Sequence, residues 1–306
     1  MSSSRALDWR SQVSRSTATS SDRCPAMAAS TRQPDSAGAR CATRTARPGS
    51  PLRAAESALH DAVLTDANAT FTGVADSTAV VVSTNRGNVD SVCEATDTIA
   101  RAGVRGLSPL GLPQTSSNVI AGWVAIRYGL RGPNLTVCNG VTSGLDAVSW
   151  ARNLIVAGRA EAAVVVGVEP ANDVVTKLLG EQSTDAAVAI VLEPANAAAS
   201  RAARPRATIA RYARARDLAA ALTSAGVTEE KSVGLLVDEA GAGAGHLLTA
   251  TRRIDLESQL GPLSGALGVL QCAAAAAYLE SDATRSVLAT AGGLRHDAAA
   301  ALLLTP

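Results

Sequence analysis

Two runs of small and β-branched residues, Thr78-Ala-Val-Val-Val-Ser83 and Ala162-Ala-Val-Val-Val-Gly167, show no alternation of polar and apolar positions. Strands of this kind must be covered on both faces, which places them in a sheet sandwiched between other layers. Segments of helical periodicity stand around them. Leu52 to Leu64 puts Leu52, Ala55, Leu59 and Val63 on one face, and Ser143 to Ala157 does the same with Ala147, Trp150, Ala151 and Leu154. Asp90 to Ala102 and Ser117 to Tyr128 also read as helices, and Leu135 to Cys138 and Ala186 to Leu192 as strands. Towards the C-terminus Arg216 to Ala225 is a predicted helix, Val233 to Val237 a strand and Gly265 to Leu279 a buried Ala-rich helix. Ser286 to Ala289 and Ala298 to Leu304 read as two last strands. Strands alternating with helices predict an α/β chain with a mainly parallel sheet.

Composition narrows the function classes. With 47% hydrophobic and 18% charged residues, the 306-residue chain has ample material for a core. A net charge of +1 leaves no electrostatic footprint for nucleic acid, and 2% aromatic residues leave little to stack bases on. No apolar run is long enough to cross a bilayer, so no membrane partner is expected. Five scattered cysteines without a CxxC spacing point to a reducing, cytoplasmic context with neither a disulfide framework nor a metal site. Three histidines, His60, His246 and His296, limit acid–base chemistry, and nothing implies a cofactor. Residues 1–50 are rich in Ser, Ala and Arg without apolar periodicity, and read as a disordered basic tail; a targeting peptide is the other reading. Residues 51–200 and 201–306 read as two successive halves of one structure.

The stretch from Pro109 to Glu169 carries a specific pattern. Its blocks are Pro113 with Asn118, then Tyr128-Gly-Leu-Arg-Gly-Pro133, Thr142-Ser-Gly144, Ala157-Gly-Arg-Ala160 and Gly167-Val-Glu169. In that order they closely resemble the β-ketoacyl synthase family of the thiolase-like superfamily. Gly261-Pro-Leu-Ser-Gly-Ala-Leu-Gly268 and Ala291-Gly-Gly-Leu294 are similar to eroded second-half motifs. The resemblance implies a thiolase-like fold: two related βα halves in a layered αβαβα architecture, here truncated. The family's first strand has no clear counterpart before residue 51, and the connection from Glu169 to Gly180 is very short.

The family's reaction needs a cysteine where a strand turns into a buried helix, with two histidines nearby. The helix dipole and the imidazoles favour the thiolate that takes an acyl chain from a thioester. The resemblance places the nucleophile at Val141, the first histidine at Ala240 and the second at Pro262, with Glu257 where a lysine is usual. Valine has no lone pair with which to attack. Cys138, Ser143 and His246 are the candidate substitutes; the blander readings are an inert strand cysteine, a helix-start serine and a surface-loop histidine.

What survives points to assembly. Leu135, Thr136, Val137 and Cys138 form the strand that, by the resemblance, pairs with a partner subunit. The loop with Gly111, Leu112, Pro113 and Asn118 resembles one that reaches towards a partner's acyl tunnel. The implied function is a chain-length-factor-like subunit beside a catalytic ketosynthase in type II polyketide or fatty-acyl biosynthesis, served by an acyl carrier protein. A divergent acyltransferase or condensing enzyme acting on acyl-carrier or acyl-CoA thioesters, and a decayed remnant, are the alternatives.

Overall fold

The computed structural model describes residues 49–180, 182–227, 233–238, 250–281, 285–293 and 296–306. The first half contains α1 (Gly49–Asp61), β1 (Thr78–Ser83), α2 (Val89–Ala102), α3 (Val119–Tyr128), β2 (Asn134–Val137), α4 (Ser143–Val156), β3 (Ala162–Glu169), α5 (Asp173–Leu179), β4 (Ala186–Leu192) and α6 (Ala195–Ser200). The second contains β5 (Thr208–Ala215), α7 (Leu218–Ser224), β6 (Val233–Asp238), β7 (Ala250–Asp255), α8 (Glu257–Leu260), α9 (Leu267–Ser281), β8 (Val287–Ala291) and β9 (Ala299–Thr305).

The strands form two sheets, ordered β2-β1-β3-β4 and β7-β6-β8-β9-β5. In each, the first three strands are parallel and the fourth runs antiparallel to the third. The second sheet adds β5, antiparallel to β9. The two halves are therefore copies of one topology, and both sheets are mixed. Parallel pairing among the first three strands of each sheet is what the alternation of strands and helices predicts; β3–β4, β8–β9 and β5–β9 are the antiparallel pairs.

Five layers result. One face of the first sheet (Val81, Val165) packs through α4 and α9 onto Leu235 and Val237 of the second. Its other face (Val80, Val82, Val164, Val166) is covered by Ala55 and Leu59 of α1 with Ile120 and Val124 of α3. The far face of the second sheet (Leu236, Leu288, Ala301) is covered by Leu218 and Leu222 of α7. This is the αβαβα arrangement the resemblance implies. It explains why every residue of β1 and β3 is buried and why their sequences do not alternate.

The middle layer is tight. A Cβ on Gly144 of α4 would lie 2.5 Å from the backbone nitrogen of Gly268 on α9, and one on Gly268 would lie 2.3 Å from that of Leu145. The two helices thus cross glycine on glycine. Several local expectations are corrected. Strands Thr208–Ala215 and Ala250–Asp255 were not foreseen, because Arg at positions such as Arg211, Arg214, Arg252 and Arg253 masks the strand pattern. Trp150, expected on the packed face of α4, is 52% exposed. Val63 lies beyond the end of α1 at φ 55° and is half exposed.

Candidate functional site

The β2–α4 connection is a 3₁₀ turn, Gly140–Thr142, that runs straight into the first residue of α4. Gly140 turns the chain at φ 68°, a left-handed conformation that favours glycine. Val141 occupies the middle of this turn, half-buried, at the N-terminal end of a buried helix. A matching turn, Ser264–Ala266, leads into α9. Counting from the crossing glycines, Ser264 corresponds to Gly140, and it too is left-handed, at φ 45°.

Asn85, just past the end of β1, ties the two turns together. Its Oδ1 accepts from the Gly140 N–H at 3.1 Å and the Ser143 hydroxyl at 2.9 Å. Its Nδ2 donates to the Gly140 carbonyl at 2.9 Å and to Ser264 Oγ at 3.0 Å. Arg86 Nη1 donates to the same Ser264 oxygen at 2.9 Å. Beneath lies Glu169, the last residue of β3 and wholly buried. Its Oε2 accepts the backbone N–H groups of Asn85 at 3.1 Å and Gly265 at 2.9 Å. Burial pushes the Glu169 carboxyl above the usual glutamate range, opposed by those two N–H groups. A Cβ on Gly265 would sit 2.7 Å from Thr84 Cα, so only glycine lets this turn approach β1.

A second buried carboxylate holds the other side of the turn. Asp146 Oδ2 accepts from the Thr142 hydroxyl at 2.8 Å and Asn139 Nδ2 at 2.9 Å. Its Oδ1 accepts from the Tyr212 hydroxyl of β5, and Arg214 stands 3.6 Å away. Burial, followed by this carboxylate, pushes the Tyr212 hydroxyl well above its ordinary value.

Ser143 is buried; its Oγ accepts the Asn139 N–H at 2.6 Å and donates to Asn85, so the hydroxyl is committed to structure. Cys138 requires a correction. Strand β2 is Asn134–Val137, one residue earlier than expected, and Cys138 follows it as an exposed thiol, not as strand packing. The physical reason is that β1 ends where Ser83 pairs with Val137, leaving nothing for Cys138 to pair with. Enough protein still surrounds the sulfur that desolvation raises its pKa, and the Glu169 charge raises it further. Leu135, Thr136 and Val137 lie on an edge strand. Gly111, Leu112, Pro113 and Asn118 form a surface loop around the 3₁₀ turn Leu112–Thr115, with Leu110 89% exposed. Asn88 Nδ2 fastens that loop through the Thr115 carbonyl at 2.7 Å. Pro262 is half-buried and its carbonyl accepts the Thr184 N–H at 3.0 Å. Glu257 Oε1 accepts the Leu263 N–H at 2.7 Å. Ala240 and His246 lie outside the described residues. His60 is exposed on α1, as its helical position predicts.

Sequence reasoning missed Asn85 and Ser264 and gave the Glu169 carboxylate no role. Glu169 closes the Gly167-Val-Glu169 block, and Asn85 opens a polar stretch after a doubly covered strand, so both carried a signal. Ser264 carried none, since its importance comes from a contact 179 residues away in sequence.

The sequence profile of the family described as "Beta-ketoacyl synthase, N-terminal domain" matches residues 38–196, just over half of the chain. The chain belongs to the β-ketoacyl synthase family. Among curated members, the 3-oxoacyl-[acyl-carrier-protein] synthase 2 of Vibrio harveyi is 34% identical over 109 residues, which is 36% of this chain and 25% of that protein. That of Rhizobium meliloti is 36% identical over 93 residues, 30% of this chain and 22% of the relative. The aligned region thus spans about a quarter of these ketosynthases. Among solved structures, the ishigamide ketosynthase/chain length factor superposes with a TM-score of 0.64 at 26% identity, covering 86% of this chain and 80% of that one. The AntDE:AntF assembly, a type II polyketide ketosynthase with its acyl-carrier protein, superposes at 0.67 with 16% identity and 83% of each chain covered, a likeness of fold. No helix among the described residues is long and apolar enough to cross a membrane.

Proposed function

We propose that this ketosynthase-family chain is a non-catalytic, chain-length-factor-like subunit that pairs with a catalytic β-ketoacyl synthase. The system would be a type II polyketide or fatty-acyl pathway, with an acyl carrier protein delivering substrate to the complex. The observation that carries the reading is Val141 on the turn at the N-terminus of α4. The helix dipole would favour a thiolate there, and a branched hydrocarbon cannot hold a charge or an acyl group. Cys138 offers poor compensation, because the Glu169 carboxylate disfavours its thiolate. The Ser143 hydroxyl is already engaged on both sides.

The role left to such a chain is architectural. The outer edge of β2 is free among the described residues and could continue a partner's sheet by backbone pairing. Exposed Leu110 and Leu112 supply apolar surface on the loop that would face a partner's acyl tunnel, and Gly111 beside them leaves that path unobstructed. The likeness to the ishigamide ketosynthase/chain length factor supports the reading.

The test has two arms. Co-expression with a complete ketosynthase should give a stable one-to-one complex, lost when Thr136→Pro removes a backbone donor from β2. Intact-mass measurement after incubation with acyl-CoA or acyl-carrier thioesters should find this chain unmodified and the partner acylated. An acyl adduct on Cys138 or Ser143 would overturn the reading in favour of a rearranged acyltransferase.

A further inference from the structure

One side chain stands between the starts of α4 and α9, and its hydrogen-bonding capacity is saturated. A side-chain amide has two N–H donors and two acceptor lone pairs. Asn85 uses all four. Its Nδ2 donates to the Gly140 carbonyl at 2.9 Å and to Ser264 Oγ at 3.0 Å, and its Oδ1 accepts from the Gly140 N–H at 3.1 Å and the Ser143 hydroxyl at 2.9 Å. The backbone of Asn85 is fixed as well, since its N–H donates to the buried Glu169 carboxyl at 3.1 Å. The Gly140 carbonyl and Ser264 Oγ therefore lie no more than two hydrogen-bond lengths apart, about 6 Å, with the amide nitrogen joining them. A methylene chain needs about 3.5–4 Å to the atoms on each side, hence a gap of about 7–8 Å. On the β1 side the walls already touch. Ser83 Oγ donates to the Gly265 carbonyl at 2.6 Å, and a Cβ on Gly265 would lie 2.7 Å from Thr84 Cα.

We propose that Asn85 is a bolt that shuts the gap between the two helix starts, so that an acyl chain is kept out of this chain's own interior there. The proposal rests on the chain-length-factor-like reading and adds to it where the substrate lies: along the exposed loop of Leu110 and Leu112 and in the partner, not between α4 and α9. Val141 and Asn85 do different things. The valine removes the group that would carry an acyl chain, and on its own it would leave room for one to lodge. The bolted helix starts remove the room. The part calls for an amide. Aspartate has no donor for the Gly140 carbonyl and the Ser264 oxygen, and alanine leaves the gap empty. Arg86 Nη1, donating to the same Ser264 oxygen at 2.9 Å, holds the far side of the bolt in place.

The test uses the full chain carrying Val141→Cys, with Cys24, Cys41, Cys93 and Cys138 changed to serine, so that one reactive thiol stands beside the buried Cys272. Methyl or octyl methanethiosulfonate converts that thiolate to a mixed disulfide, with methanesulfinate leaving, and peptide mass mapping confirms the position. With Asn85 in place the octyl adduct should melt no higher than the methyl adduct, because its chain stays in solvent. With Asn85→Ala added, the octyl adduct should melt about 4 °C or more above the methyl one, as its further methylenes leave water for the opened gap. An octyl chain that stabilises the protein while Asn85 is present overturns the proposal, and this comparison needs no change at Asn85. So does a cooperatively melting Asn85→Ala protein in which the octyl chain adds nothing; Asn85→Ser replaces it if the alanine variant does not fold. The chain-length-factor-like reading fails on other results, acylation of the unaltered chain or no complex with a ketosynthase.

Discussion

Replacing Gly144 by alanine puts the packing of the middle layer under direct strain. The new Cβ would lie 2.5 Å from Gly268 N, 2.6 Å from its Cα and 2.9 Å from Val269 N. Carbon contacts are comfortable at about 3.5 Å, so α4 and α9 would have to part by about 1 Å. All three atoms are backbone, and no side chain can rotate away. Both helices also press outwards on a sheet, through Val165 on one side and Leu235 on the other, so separation opens the largest core. Overpacking of this kind costs about 1–3 kcal/mol, offset by about 0.5–1 kcal/mol because alanine loses less backbone entropy than glycine. A net loss of about 1–2 kcal/mol lowers the melting temperature by about 2–8 °C in a domain of this size. Differential scanning fluorimetry or calorimetry on purified protein reads it. Gly122→Ala is the control: it lies within α3, its Cβ would meet nothing within 4 Å, and the same substitution should raise stability by about 0.5–1 kcal/mol. A Gly144→Ala protein at least as stable as the parent, beside a stabilised Gly122→Ala, would refute the glycine crossing as a constraint.

Further expectations follow from the buried carboxylates and the thiols. Glu169 holds its proton to higher pH in the folded chain than the unfolded value of about 4.3, so stability falls as pH rises from that value through the folded one. Glu169→Gln keeps an acceptor for the Asn85 and Gly265 N–H groups; melting curves from about pH 4 to about pH 8 should show its decline flattened and the variant the more stable at neutral pH. Cys138 should be alkylated by iodoacetamide more slowly than free cysteine at neutral pH despite its exposure, and Glu169→Gln should speed the reaction; peptide mass mapping reads both. Cys272, buried and pushed up to about 12, should resist alkylation until the chain unfolds. Tyr212→Phe removes a donor from the buried Asp146 carboxylate and should cost about 1.5–3 kcal/mol in urea denaturation.

The parts of the fold legible in the sequence are those set by local burial. The Val-rich runs of β1 and β3 announce doubly covered strands because no polar residue survives between two layers. β5 stayed hidden because an edge strand can present arginines to solvent, and Arg211 and Arg214 hide the alternation. Cys138 was misread for a related reason. Its surroundings follow from where β1 stops, and that boundary belongs to the partner strand. At the site, the turn and the valine in it are sequence properties. The clamp of Asn85, Glu169 and Ser264 is a product of the duplicated fold, which brings the starts of α4 and α9 to one place.

That clamp bears on the proposed non-catalytic role of this chain. The hydrogen bonds that fix the Gly140–Thr142 turn are made by backbone groups and by Asn85, Asn139, Thr142, Ser143, Asp146 and Arg214. None uses the side chain at position 141. The helix entry is therefore shaped independently of the residue it displays, and the chemistry at 141 can change without loosening the fold. Val141→Cys gives this a measurable form. Its melting temperature should stay within about 2 °C of the parent, because a half-buried valine exchanged for a smaller apolar thiol costs about 0.5 kcal/mol. The new thiol should still fail to elongate an acyl thioester. On the proposed reading the two histidine positions fall on Ala240 and Pro262, and neither side chain can stabilise the developing oxyanion. A Val141→Cys chain that unfolds would show the turn to depend on its side chain; one that condenses thioesters unaided would show that the valine alone had silenced the site.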